Sequence, residues 1–160
     1  MGAGKTTIGK ALSGYLHLPF VDIDHLIVEK AGAAIPWIFD VEGEEGFRRR
    51  ESAVLQEVLD GEPAIIATGG GIITMEHNRR VLRKLSGVVY LQTSIQQQFD
   101  RTAKDKNRPL LQTESPMQTL TDLMTAREPF YKEVAAFEVS TDSNRPKFVV
   151  EQISNYWKSL

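Results

Sequence analysis

The chain opens MGAGKTT (residues 1–7) and runs straight into IGKALSGYL (residues 8–16). Glycines, a lysine and hydroxyls ahead of an amphipathic segment match the downstream half of a phosphate-binding loop, G-x-x-x-x-G-K-[ST]. Such a loop works through backbone N–H groups that converge on phosphates, helped by the dipole of the helix that follows. Gly2, Gly4, Lys5, Thr6 and Thr7 stand at the matching positions. Ile8, Ala11, Leu12 and Leu16 recur at helical spacing, and His17-Leu18-Pro19 ends the segment. The motif's first glycine and the strand that would feed the loop fall before Met1. These residues alone therefore do not separate a nucleotide site from a chance Gly-Lys-Thr.

Working outward, short β-like runs alternate with helical ones. PFVDID (19–24) is a strand candidate with Asp22 and Asp24 at its carboxyl end. Residues 24–31 look helical up to Gly32, and a helix starting near Glu44 sets Phe47, Val54, Leu55, Val58 and Leu59 on one face. AIIA (64–67) runs as a buried strand into Thr68-Gly69-Gly70-Gly71, followed by a helix over roughly 76–85 and a strand VVYL (88–91). A helix around Ile95 and Phe99 precedes residues 103–116, which carry charge and proline without periodicity. Met117, Leu120, Leu123 and Met124 mark another helix with Arg127 beyond it, and FEVS (137–140) is the last strand. The closing helix is expected to bury Val149, Ile153, Trp157 and Leu160. This alternation predicts an α/β fold, a parallel sheet covered on both faces, with ligands at the carboxyl ends of its strands.

Bulk properties narrow the function. The 160 residues suit one domain, and a net charge of −2 gives no overall field to draw nucleic acid or an anionic membrane. No cysteine is present, which excludes disulfides, thiolate metal sites and cysteine nucleophiles. No apolar run is long enough to span a membrane. A cytoplasmic protein is expected.

Several residues are candidates for chemistry. Asp22 and Asp24, two apart on a strand, would point at one site; Asp24 could equally cap the next helix. In GFRRRE (46–51), Arg48 adjoins the apolar Phe47 and can pair with Glu51 at i+3, which would hold its guanidinium for a carboxylate. Arg49 and Arg50 read as surface, as do Arg79, Arg80, Arg83 and Lys84. Three successive glycines at 69–71 exceed what a turn needs and suggest a backbone that a ligand approaches closely. Lys104, Lys106 and Arg108 in a long loop suit a lid over phosphates. His17, His25 and His77 lack the spacing of metal ligands.

GAGKTTIG (2–9), DID (22–24), EGEEGFRRRE (42–51), ATGGG (67–71), DKNRPLL (105–111) and AREPFY (126–131), in that order, resemble the shikimate kinases over nearly the whole chain. The resemblance implies a three-layer α/β/α P-loop kinase fold of the nucleoside-monophosphate-kinase type. Its parallel sheet is five-stranded in the family, and this chain lacks the first, central strand. It implies one domain over residues 1–160 with a lid at about 103–116, and transfer of the ATP γ-phosphoryl group to the 3-hydroxyl of shikimate. Gly2, Ala3, Gly4, Lys5, Thr6 and Thr7 would bind the ATP phosphates, and Thr6 and Asp22 would hold Mg²⁺. Asp24 would bind the shikimate hydroxyls and act as base or orienting group. Arg48 and Arg127 would grip the carboxylate, the backbone of Gly70 and Gly71 would complete the pocket, and Phe39 and Phe47 would wall it. Arg108 would meet the transferring group, with Lys5, Asp24 and Arg108 as the catalytic set. Arg101, Arg145 and the loop 141–146 would lie on the adenine side. A monomer without nucleic-acid or membrane partners is expected. Without the central strand the chain is expected to be poorly stable and weakly active. The competing readings are a kinase of another hydroxylated acceptor such as gluconate, and a binding module without turnover.

Overall fold

The computed structural model describes residues 1–105, 108–142 and 145–160. Four short strands and seven helices alternate along it. They are α1 (Lys5–Leu16), β1 (Phe20–Asp22), α2 (Ile23–Ala31), α3 (Ile35–Leu59), β2 (Ile65–Ala67), α4 (Glu76–Leu82), β3 (Val89–Gln92), α5 (Ile95–Thr102), α6 (Pro116–Val134), β4 (Phe137–Ser140) and α7 (Pro146–Lys158). Single 3-10 turns lie at Ile72–Thr74 and Pro109–Leu111.

The strands form two parallel pairs. β1 pairs with β2, Val21 opposite Ile66, and β3 pairs with β4, Leu91 opposite Val139. Among the described residues no strand joins β2 to β3. A largely apolar cavity of about 680 Å³ lies between the pairs, lined in part by Ile8, Leu12, Leu55, Ile66, Val89 and Leu91. The facing edges of β2 and β3 thus lack the partner that backbone N–H and C=O groups require elsewhere in the sheet.

Two cores flank this arrangement. One gathers Ile23, Ile27, Ile38, Phe47, Val54, Leu55, Ile72 and Ile73 beneath α2 and α3. The other packs Ile8 and Leu12 of α1 against Val139, Val149, Val150 and Ile153. Each such side chain contributes roughly 1.5–3 kcal/mol when fully buried. Among the described residues no helix is long and apolar enough to cross a membrane.

Local chemistry accounts for several boundaries that differ from expectation. α3 starts nine residues earlier than Glu44, with Pro36 in its first turn, and it contains a break at Gly43 (φ 70°, ψ 177°). That backbone conformation is open to glycine and costly for other residues, so the long helix is two helices meeting at a bend. α6 runs through Arg127 and past Pro129 to Val134, although proline within a helix removes one backbone bond. Trp157 and Leu160, expected in the core, are 48% and 61% exposed; α7 buries Val149, Val150 and Ile153 instead.

Candidate active site

The phosphate-loop motif adopts the backbone it needs. Gly2 and Gly4 both have positive φ, 66° and 86°, and Gly4 is the N-cap of α1 without a side-chain cap. The first N–H groups of α1, those of Lys5, Thr6 and Thr7, therefore have no partner within the helix and sit at its positive end. Arg101 donates to the Gly2 carbonyl at 2.9 Å and to the Thr141 carbonyl at 3.1 Å, tying the loop to the end of β4. Lys5 is half-buried beside it. Burial, reinforced by Arg108, holds its pKa below the usual lysine range against the opposing pull of Asp24, Asp22 and Glu51.

Asp22 and Asp24 do not share one face of a strand. β1 ends at Asp22 and the chain turns at once into α2, so Asp24 stands in the first helical turn. The capping role falls to Asp22, which accepts from the His25 N–H at 3.3 Å through Oδ1. Its other oxygen accepts from Thr6 Oγ1 at 3.1 Å, which joins the strand end to the phosphate loop. Burial and the neighbouring Asp22 raise the pKa of Asp24, while Lys5, Arg108 and Arg48 pull the other way. Cations of α1, the lid and α3 thus all act on Asp24.

Arg48 is held much as its spacing suggests. Nη1 donates to Glu51 at 2.7 Å and Nη2 to Glu44 at 3.1 Å; the Arg48 side chain is 7% exposed and that of Glu51 fully buried. The second Glu51 oxygen has no hydrogen-bond partner. Burial raises the Glu51 pKa against the opposing charge of Arg48. Phe47 stands beside Arg48, its ring centroid 4.8 Å from that of Phe39. Arg49 is exposed as expected, whereas Arg50 is pinned to Glu42 at 2.7 Å. Arg127 is buried on α6, and among the described residues no carboxylate stands within ion-pair distance of it. Its charge acts on Glu51 and on Tyr131.

The Gly69–Gly71 turn is crowded by this chain's own side chains. A Cβ on Gly69 would overlap the Glu51 carboxylate, and one on Gly71 would overlap the Arg48 guanidinium. Gly69 and Gly71 are thus required by Glu51 and Arg48 before any ligand is considered, while Gly70 faces the Tyr131 hydroxyl. Asn78, fully buried, donates to the Ile72 carbonyl at 2.9 Å and fixes the 3-10 turn that follows. Arg79 is not on a wet face: it donates to the Ile73 carbonyl at 2.7 Å, stacks 4.1 Å from the Phe130 ring and pairs with Glu133.

In the lid, Arg108 pairs with Asp105 at 2.8 Å, and its charge reaches Lys5 and Asp24. Lys106, and residues 143 and 144 of the loop 141–146, lie outside the described residues. Arg145 is exposed at the start of α7. The site thus brings together Lys5, Thr6, Asp22, Asp24, Arg48, Arg108 and Arg127. Two residues that support it carried no role in the sequence. Tyr131 donates to the Gly70 carbonyl at 2.6 Å, and Asn78 supports the same turn. The available signal for Tyr131 was its position four residues after Arg127, one helical turn along the same face.

This arrangement has close counterparts. The family model described as shikimate kinase matches residues 1–158. A shikimate kinase of Pseudomonas aeruginosa (strain LESB58) is 53% identical over 160 residues, covering 100% of this chain and 93% of the relative. One of Thioalkalivibrio sulfidiphilus is 51% identical over 158 residues, covering 99% and 83%. Among solved structures, the shikimate kinase of Acinetobacter baumannii in complex with shikimate superposes with a TM-score of 0.96 at 47% identity, over 99% of this chain and 89% of the other. That of Bacteroides thetaiotaomicron gives 0.88 at 31%, over 99% and 94%.

Proposed function

Since this chain belongs to the shikimate kinase family, we propose that its clustered residues divide the work of moving the ATP γ-phosphoryl group to the 3-hydroxyl of shikimate. The observation that carries the assignment of roles is the buried Arg127, a cation whose charge no carboxylate of the described residues neutralises by direct pairing. A small anionic acceptor would complete it. Arg48, already oriented by Glu51 and lying against Gly71, supplies a second guanidinium. Two planar cations of this kind suit a carboxylate. Phe39 and Phe47 supply an apolar wall for the ring, with the backbone of Gly70 and Gly71 closing the pocket.

The ATP phosphates lie in this reading on the N–H groups from Gly2 through Thr7, with Lys5 reaching the outer phosphates. Arg101 and Arg145 stand on the adenine side. Magnesium fits the donors present. Thr6 Oγ1 and the Asp22 carboxylate are 3.1 Å apart and exposed, and Mg²⁺ needs few protein oxygens when phosphates and water provide the rest. Bound there, the ion would neutralise charge on the phosphates.

Phosphoryl transfer asks for alignment and charge neutralisation more than for covalent chemistry. Asp24 holds the acceptor hydroxyl and takes its proton as the oxygen attacks. Its raised pKa brings it nearer to the range in which a carboxylate serves as a base. Lys5 and Arg108 stabilise the charge on the group in flight. Lid residues 103–116 close over it and exclude water, a competing acceptor. The same reading makes it a monomeric cytoplasmic enzyme with a single domain over residues 1–160.

Replacing Arg127 with Ala tests the acceptor half of the site. Loss of a charged hydrogen-bond partner costs about 1.5–3 kcal/mol, so the KM for shikimate should rise roughly 10- to 100-fold with little change for ATP. Equal effects on both substrates would remove Arg127 from the acceptor site.

A further inference from the structure

The Gly70–Gly71 peptide is held by a group outside the loop itself. The Tyr131 hydroxyl donates to the Gly70 carbonyl oxygen at 2.6 Å. That oxygen and the Gly71 N–H belong to the same planar trans amide, so they point in opposite directions. Fixing one aims the other. Among the described residues, the Gly71 N–H has no hydrogen-bond acceptor, while the neighbouring N–H of Ile72 is satisfied by the Gly69 carbonyl at 3.3 Å. The Gly71 α-carbon meanwhile lies against the Arg48 guanidinium. An unpaired backbone donor and a buried guanidinium therefore stand side by side, with the Glu51 carboxylate against the adjoining Gly69.

Tyr131 is itself well fixed. Its ring stacks on Tyr90 with centroids 5.1 Å apart and 29° between the planes. Burial raises the pKa of its hydroxyl, so it remains a proton donor across the neutral range. It follows Arg127 by four residues on α6, so one helical face presents both a guanidinium that no described carboxylate pairs with and the hydroxyl that holds the Gly70 carbonyl, the two side chains being hydrogen-bonded to each other.

We propose that Tyr131 is a positioning residue for the acceptor: by holding the Gly70 carbonyl it turns the Gly71 N–H into the pocket as a donor to shikimate. The proposal rests on the acceptor site described above. Tyr131 acts through the peptide and does not touch the reacting atoms.

Tyr131→Phe removes the hydroxyl and keeps the stacked ring. The shikimate KM should rise about tenfold, equivalent to about 1.4 kcal/mol, with the ATP KM within about twofold of the unsubstituted protein. Tyr90→Phe, which leaves the bridge in place, should change neither. A shikimate KM unchanged in Tyr131→Phe, or an ATP KM that rises equally, would overturn the proposal. Arg127→Ala, assayed in parallel, separates two failures. If it raises the shikimate KM and Tyr131→Phe does not, the bridge is dispensable and the acceptor site stands. If neither does, the acceptor site is wrongly placed and the proposal falls with it. Should Tyr131→Phe fold poorly, the unsubstituted protein supplies its own test by amide NMR. Adding shikimate should move the Gly71 amide proton downfield, and an unmoved resonance at saturation would overturn the proposal.

Discussion

Replacing Glu51 with Leu removes a fully buried carboxylate and leaves Arg48, 7% exposed, with only the half-exposed Glu44 as partner. Breaking a buried ion pair from one side costs about 3–5 kcal/mol, because the charge that remains is neither solvated nor paired. Glu44 still accepts from Arg48 at 3.1 Å, which places the expected loss toward the lower end, about 3 kcal/mol. The second substitution decides the mechanism. If the loss comes from a stranded cation, adding Arg48→Met should restore stability to within about 1 kcal/mol of the original, since apolar replacement of a whole buried pair is often neutral. Urea unfolding of the two single variants and the double variant, read as a thermodynamic cycle, measures this directly. A double variant destabilised by the sum of the two singles would refute the reasoning and make both side chains ordinary packing residues. In either case shikimate-dependent turnover should be lost in the double variant. On this account the pair is kept for the acceptor, and stability does not require it.

Two further outcomes follow from the same site. Asp24 has a raised pKa in the folded chain, so the native state binds its proton more tightly than the unfolded one, and stability falls as pH climbs from the ordinary value of 3.8 through the raised one. Asp24→Asn should therefore be the more stable protein near pH 7, with an advantage that shrinks as pH approaches 3.8; an advantage independent of pH in urea melts would exclude this cause. Gly71→Ala should drive Arg48 from its place, costing about 1–3 kcal/mol and raising the shikimate KM, because a Cβ there overlaps the guanidinium. Gly14→Ala, on open helix surface, should instead add up to about 1 kcal/mol; thermal melts of the two variants moving the same way would count against the crowding argument.

Much of this site was legible because its motifs are local. α1 and β4 fall where the pattern places them, and the Arg48–Glu51 pair follows from i, i+3 spacing on a helix. What the pattern misses depends on contacts made across the fold. Gly43 interrupts the periodicity of α3, which hid the helix that carries Phe39. Arg127 was placed beyond its helix, yet α6 runs through it and past Pro129 and so places Tyr131 against Gly70. Period-two spacing suggested one strand face for Asp22 and Asp24, but the N-cap at Asp22 turns the chain between them. Arg79 looked like a solvated charge because its partners, the Ile73 carbonyl, Phe130 and Glu133, are brought to it only by tertiary structure. The Gly69–Gly71 run signalled a close approach correctly, while the approaching groups proved to be Arg48 and Glu51.

The central claim is that the Lys5, Asp24, Arg48, Arg108 and Arg127 cluster transfers phosphate to shikimate. Its most direct test is shikimate-dependent release of ADP from MgATP by this chain, with Asp24→Asn assayed beside it. The account predicts ADP release that requires shikimate and is lost in Asp24→Asn, although that variant still binds both substrates. Tight binding of shikimate and MgATP by the unsubstituted chain with no ADP formed, or turnover undiminished in Asp24→Asn, would contradict it.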